Sequence, residues 1–267
     1  MIRITELSLP LGDPLATETR TALRRSILRR LQIDDSALVD FEIFKRSHDA
    51  RRKDREIAFV YIVDVTVRNE SAVLGRLTRD RNVTRAPDTS FHPPLRAHAD
   101  VDARPVVVGF GPCGLFAALL LAQGGYRPIV LERGRDVKRR TQDTWGLWRR
   151  HVLDPESNVQ FGEGGAGLFS DGKLYSQIKD PRFLGRQVMR EFVRAGAPPE
   201  IMYVNKPHIG TFRLTGVVAR LREEIIALGG EIRFETKVVD LLLDSITNGR
   251  KQIEGVVLEN GETIESR

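Results

Sequence analysis

The residues best suited to chemistry lie in one stretch, Val106-Val107-Val108-Gly109-Phe110-Gly111-Pro112-Cys113-Gly114-Leu115-Phe116-Ala117-Ala118. A β-branched run meets a glycine-rich turn, and the turn opens into an Ala/Leu-rich helix. Gly109, Gly111 and Gly114 have the G-x-G-x-x-G spacing, with Pro112 inside it. That spacing suits a tight turn, a close backbone approach to a pyrophosphate, and tight packing of helix on strand. N–H groups at the helix start then point at phosphates, where the helix dipole favours negative charge. Ile129-Val130-Leu131-Glu132 reads as the next strand, and its acid lies 18 residues past Gly114. A carboxylate there accepts hydrogen bonds from a ribose diol. Strand, turn, helix, strand and acid fit one dinucleotide-binding βαβ unit.

A second glycine-rich stretch follows, from Asn158 to Lys173, with five glycines between 162 and 172. Glycines let a backbone approach a ligand closely and supply positive φ. Phe161, Leu168 and Phe169 are interleaved and would anchor the loop. Ser170 and Lys173 can donate to phosphate or ribityl hydroxyls. Farther on, Lys206-Pro207-His208-Ile209-Gly210-Thr211 places a lysine and a histidine two apart. Lys206 and His208 are the candidate catalytic residues, for polarising or protonating near a redox cofactor. A strand-end turn with a buried polar histidine explains them equally well.

Together, GFGPCGLFAALLLA, PIVLERG, SNVQFGEGGAGLFSDGKL, KPHIGT and LGGEIRF resemble the FAD-dependent oxidoreductases known as FAD-utilising dehydrogenases. These belong to the glutathione-reductase-like flavoprotein superfamily. The resemblance implies FAD as cofactor. It places Gly109, Gly111, Pro112 and Gly114 at the FAD pyrophosphate, Glu132 at the adenosine ribose and Arg133 near the adenine edge. It places Gly164, Gly165, Ala166 and Ser170 along the pyrophosphate and ribityl chain, and the Val238 backbone at adenine. It implies a small-molecule substrate, with NAD(P)H as a candidate electron donor. Cys113 stands where alanine is common, and a small residue packed against the cofactor explains it better than a redox role. The resemblance also implies further strands and a substrate domain beyond Arg267, so the expectation is a C-terminally truncated member. Two alternatives stay open: an arginine-rich RNA-binding module on a flavin-type scaffold, and an inactive fragment. NAD at the Gly109 turn is disfavoured by the second glycine stretch.

Composition bounds the rest. The 267 residues are 41% hydrophobic, enough for a sizeable core, and the soft prior is one to two domains. No apolar run reaches the roughly 18–20 residues of a membrane span, and no signal-peptide core is visible, which predicts a cytoplasmic protein. The single cysteine, Cys113, excludes disulfides and thiol pairs within this chain, and no metal site is expected. The net charge of +6 comes largely from scattered arginine pairs without interleaved aromatics, so nucleic acid is not the expected partner.

The elements that must position these residues follow from periodicity. Residues 1–83 read as a small β-α-β-β domain of ferredoxin-like α+β type, with Ser47 to Glu56 as a charged hairpin turn holding a surface His48. Residues 84–104 read as a Pro-rich linker, in which His92 and His98 are not metal ligands. Residues 105–267 read as an incomplete Rossmann-like FAD-binding α/β fold. It has a third parallel strand at Glu231 to Val238 and a β-meander turned at Asn248-Gly249 and Asn260-Gly261. Trp145 and Trp148 share a helical face and are expected in the core.

Overall fold

The computed structural model describes residues 1–12, 17–51, 56–93, 104–247 and 250–266 of a mixed α/β protein. His98 and the Asn248-Gly249 turn lie outside these. Two compact units are present. The first comprises Met1–Ser90, Tyr175–Arg186 and Pro199–Pro207; the second comprises Phe91–Leu174, Gln187–Pro198 and His208–Arg267. A single cut at 84–104 therefore does not describe the division, because two later segments join the first unit.

The first unit runs β1 (Ile2–Pro10), α1 (Thr17–Leu31), β2 (Leu38–Asp49), β3 (Ala58–Val67), α2 (Glu70–Arg76) and β4 (Val83–Arg85). Its sheet has the order β2-β3-β1-β4, every neighbour antiparallel. Strict alternation in β3 buries Phe59, Tyr61, Val63, Val65 and Val67, and α1 covers them with Leu23, Ile27 and Leu31 at i, i+4 and i+8. In β1 the alternation of Ile2 and Ile4 resumes at Leu7 after a bulge, where Glu6 takes φ 58°. The unit thus has one helix and one strand more than the expected β-α-β-β. Both are short: α2 buries only Val73 and β4 has three residues, so neither leaves much periodicity to read. Ser47 to Asp49 is also not a turn. It continues β2, with His48 opposite Phe59; residues 52–55 lie outside the described residues. The later segments join through Phe183, edge-on to Phe44 at 6.2 Å, and through backbone bonds linking Arg46 to Tyr203 and Asn205.

The second unit contains β5 (Val106–Val108), α3 (Pro112–Gln123), β6 (Ile129–Leu131), α4 (Val137–Arg150), the last part of α5 (Leu184–Arg194), α6 (Thr211–Ala227), β7 (Glu231–Arg233), β8 (Val238–Thr247), β9 (Arg250–Leu258) and β10 (Thr263–Glu265). Strands β5, β6 and β7 are parallel, with β6 central and fully buried. A continuous apolar run is what a parallel strand covered on both faces requires. The third parallel strand is shorter than expected and stops at Arg233; Glu235, two residues on, takes φ 52°. The antiparallel β8-β9-β10 meander packs Val256, Leu258 and Ile264 against Ile129 and Leu131. On β8, Val239, Leu241 and Leu243 recur with period two and are exposed, as is Ile253, opposite Leu243 on β9.

Helix α4 corrects an expectation. Trp145 and Trp148 are 38% and 55% exposed, not core. The face that α4 buries carries Val137, Arg140 and Thr144 instead. The tryptophans lie beside it, Trp145 under the Arg149 guanidinium at 3.9 Å and Trp148 edge-on to Phe169 at 5.7 Å. No helix among the described residues is long and apolar enough to cross a membrane.

Candidate functional site

The site is built at the start of α3. Strand β5 delivers the chain to Gly109, whose φ of 88° turns it away from the sheet, a conformation that costs glycine little. The Gly109 N–H donates to the Leu131 carbonyl at 2.8 Å, and α3 begins at Pro112, where a missing N–H costs nothing. The third glycine is fixed by packing: a Cβ on Gly114 would lie 1.9 Å from the Gly109 carbonyl oxygen.

The two glycine stretches, about 50 residues apart in sequence, meet here. Gly164 N–H donates to Phe110 O at 2.9 Å. A Cβ on Gly165 would come within 3.2 Å of Gly111 Cα, so the backbones touch. Glu132 ties them together. It is 4% exposed; its Oε2 accepts from Phe110 N–H at 2.6 Å, and its Oε1 accepts from Gly134 and Gly162 N–H at 2.8 and 3.0 Å. The expected ribose ligand is thus also the clasp of both turns, and three of its roughly four acceptor positions are used.

A second clasp is Arg140, fully buried on α4. Its guanidinium donates to four carbonyls of the second stretch: Asn158, Val159, Glu163 and Gly165, at 2.6–2.9 Å. Burial pulls its pKa down to about 10, so it stays protonated at neutral pH. Glu163, also fully buried, accepts from Val137 N–H at 2.6 Å and pairs with Arg222 at 2.7 Å through Oε2. Its Oε1 has no partner among the described residues. Burial raises the Glu163 carboxyl above its ordinary value of 4.5, outweighing the Val137 N–H and Arg222, which lower it.

A raised carboxyl makes the folded state hold its proton more tightly than the unfolded chain. Stability from this group is therefore largest below pH 4.5 and falls as pH rises through the raised value. Glu163→Gln can keep both bonds to its oxygen and does not titrate. We expect urea unfolding at pH 4 and pH 7 to shift the stability difference toward the variant at the higher pH; a shift the other way would contradict the assignment.

Beside the clasps lies a cavity of about 430 Å³. Its floor and rim come from Pro112 and Cys113 at the head of α3, and from Gly164, Gly167, Ser170 and Lys173 of the second stretch. Phe116, Phe192, Leu214 and Val218 give it apolar walls, with Phe116 and Phe192 edge-to-face at 5.4 Å. The glycines sort by what surrounds them. Gly114, Gly134, Gly162 and Gly165 have no room for a Cβ because protein fills the space. Gly164 and Gly167 have room, for their nearest neighbours lie 3.6 and 3.9 Å from a Cβ. These two line the cavity, as does Gly172; Gly164, with φ 84°, also needs glycine for its backbone.

The remaining expected residues are placed as follows. Ala166 opens a one-turn 3-10 helix, Ala166–Phe169, and the Ser170 hydroxyl donates to Gly167 O at 2.7 Å. Arg133 pairs with Glu156 and stacks 4.0 Å over Phe161. Val238 opens β8 and packs against the Ile129/Leu131 cluster. Cys113 is exposed. Lys206 and His208 fall in different units and neither lines the cavity. Lys206 Nζ lies 5.8 Å from the Tyr175 ring. His208 is exposed and forms a backbone bridge to Lys173, which does line it. Sequence reasoning missed Arg140, Glu163 and Arg222; the signal for the arginines was a polar residue on the inward stripe of α4 and of α6, and Glu163, in the glycine-rich turn, offered none. Among the described residues no group of three or more His, Cys, Asp or Glu could hold a metal.

Comparison with known proteins adds the following. Residues 1–66 match a family described as "Domain of unknown function (DUF8436)". An "Uncharacterized protein" of Clostridium beijerinckii (strain ATCC 51743 / NCIMB 8052) is 43% identical over 263 residues, 98% of this chain and 46% of that protein. The chain spans about half the length of the curated relative it matches. The crystal structure of Thermovibrio ammonificans THI4 is similar at 20% identity and TM-score 0.35, over 59% of this chain and 47% of that one. That likeness is too slight to carry a fold assignment.

Proposed function

We propose that the second unit binds FAD at the head of α3, and that the protein is an FAD-dependent oxidoreductase of the dehydrogenase type. One observation carries this reading: Gly167 lines the cavity with room for a Cβ that it lacks, and its backbone is not in the left-handed region. Packing does not call for glycine at Gly167, whereas a ligand backed against the loop does. The cavity meets the first turn of α3, whose N–H groups lack intrahelical acceptors and suit a pyrophosphate. The parallel order β5-β6-β7 with its βαβ crossover supports a Rossmann-like reading of this unit. The order β2-β3-β1-β4, built from two split βαβ units, supports a ferredoxin-like reading of the first.

FAD, when bound, supplies hydride or electron transfer; the protein supplies binding, orientation and electrostatics. The α3 turn would hold the pyrophosphate, and the Lys173 ammonium at the rim adds positive charge beside it. Glu132 holds both glycine turns in place, and its open acceptor position would be available to a ribose hydroxyl. Phe116, Phe192, Leu214 and Val218 exclude water from the apolar end. Neither Lys206 nor His208 lines the cavity, so neither is assigned a role in proton transfer there. The substrate is a small molecule, and NAD(P)H is the electron donor we propose.

The test is the visible spectrum of the purified chain, or of the chain reconstituted with FAD. A flavin spectrum and one equivalent of FAD released on denaturation are expected. Gly167→Leu should fill the cavity, since only Pro112 lies near. It should cut FAD binding at least ten-fold, about 1.4 kcal/mol, with the thermal midpoint of the apoprotein unchanged. A wild type that takes up no FAD ends the reading, as does a Gly167→Leu variant that binds it normally.

A further inference from the structure

We propose that the first unit carries a binding site of its own for an organic phosphate or diphosphate, in the hollow between the ends of α1 and α2. The hollow measures about 670 Å³. Arg29 and Arg30 reach it from the last turn of α1, Arg76 from the last turn of α2, and Arg79 from the turn that follows. Two carboxylates share the lining, Glu6 at the β1 bulge and Asp80. Asp80 is already neutralised: Arg30 grips both its oxygens at 2.6 and 2.8 Å, and Asn82 N–H donates to it at 3.0 Å. Arg29, Arg76 and Arg79 are exposed and form no ion pair among the described residues. The lining therefore holds three uncommitted guanidiniums against one uncommitted carboxylate.

Like charges gathered on one hollow repel, and a folded chain tolerates them most readily where an anion joins them. The helix dipole favours cations at the ends of α1 and α2. It accounts neither for their convergence nor for Arg79, which lies past α2. Guanidinium forks match phosphate oxygens in pairs, which makes phosphate the fitting anion. An adjoining hollow of about 460 Å³ shares Arg29, Gln32 and Arg76 and adds Leu28, Ile33, Ala37 and one carboxylate, Asp34. A charged lobe joined to a partly apolar one suits a phosphate that carries an organic body. Both volumes lie in the range of small-molecule sites, and the exposed arginines gather around one open hollow rather than along a stripe. A free organic phosphate thus fits better than a nucleic-acid backbone, which a basic stripe would track.

The experiment titrates the full chain calorimetrically with inorganic pyrophosphate, AMP and a mixed-sequence oligoribonucleotide at low salt. Wild type is compared with the double variant Arg76→Ser/Arg79→Ser, which changes exposed side chains only. The wild type should bind pyrophosphate or AMP, and the double variant at least ten-fold more weakly, with its ligand-free thermal midpoint unchanged. Gly167→Leu should retain this binding, which separates the hollow from any nucleotide site in the second unit. Equal affinity in wild type and double variant, or no binding of either small ligand, overturns the proposal. So does oligoribonucleotide binding that pyrophosphate and AMP fail to displace.

Discussion

Replacing Arg140 with methionine is expected to lower the unfolding free energy by about 3–5 kcal/mol, the cost of removing one partner from a buried charged network. Methionine fills much of the arginine's volume but donates nothing. Four carbonyls of the second glycine stretch then lose their donor, those of Asn158 and Glu163 in a buried setting and those of Val159 and Gly165 in a part-buried one. Each buried acceptor left unmade costs on the order of 1–3 kcal/mol, and the loop recovers part by opening. Glu163 also loses a nearby positive charge, which leaves Arg222 as its one ion-pair partner. The measurement is the urea midpoint with the slope held fixed, so that the change reports stability. A loss below about 1 kcal/mol would show that the loop holds its shape without Arg140.

The second large effect is expected at Glu132. Glu132→Gln keeps the shape of the side chain but puts an NH2 where a carboxylate oxygen accepted. Turned one way, the NH2 faces the N–H groups of Gly134 and Gly162; turned the other, it faces Phe110 N–H. The second costs less, and donor still meets donor. We expect a loss of about 2–3 kcal/mol in stability, in the range for a hydrogen bond to a charged group lost in a buried site. FAD affinity should fall at least ten-fold, because the turns that the carboxylate holds are those that would carry the cofactor. Flavin fluorescence titration beside urea unfolding reads both. Unchanged stability would remove Glu132 from its place as clasp and leave the ribose as its only role.

The glycine turn at Gly109, the strand to Glu132 and the second glycine stretch were legible in the sequence because spacing alone constrains them. A φ of 88° at Gly109 and a 1.9 Å overlap at Gly114 are demands that only glycine meets, so they surface as residue types at fixed offsets. The clasps were not legible. Arginines on the amphipathic helices α4 and α6, and a glutamate in a glycine-rich turn, read as solvated, and Arg140, Arg222 and Glu163 betray burial only through contacts 18 to 59 residues away. The tryptophans misled for the opposite reason: large aromatics are often buried, yet α4 turns a polar stripe inward. The regrouping of residues 175–186 and 199–207 with the first unit rests on pairings such as Arg46 with Tyr203, which no local pattern announces. Strand β4 and helix α2 escaped because three and seven residues are too few to show a period.

The clasp at Glu132 also sets an order in time. Its donors lie 22 residues before it, 2 after it and 30 after it. A ribosome adding roughly 5–20 residues per second therefore releases Gly162 a few seconds after Glu132. Through that interval the carboxylate must stay hydrated, and β6 cannot close over it without stranding a charge. Closing β6 over Glu132 therefore waits for the second glycine stretch, and the parallel sheet itself waits longer, for β7. A nascent chain paused between residues 134 and 162 would carry a Glu132 that still lacks its Gly162 partner.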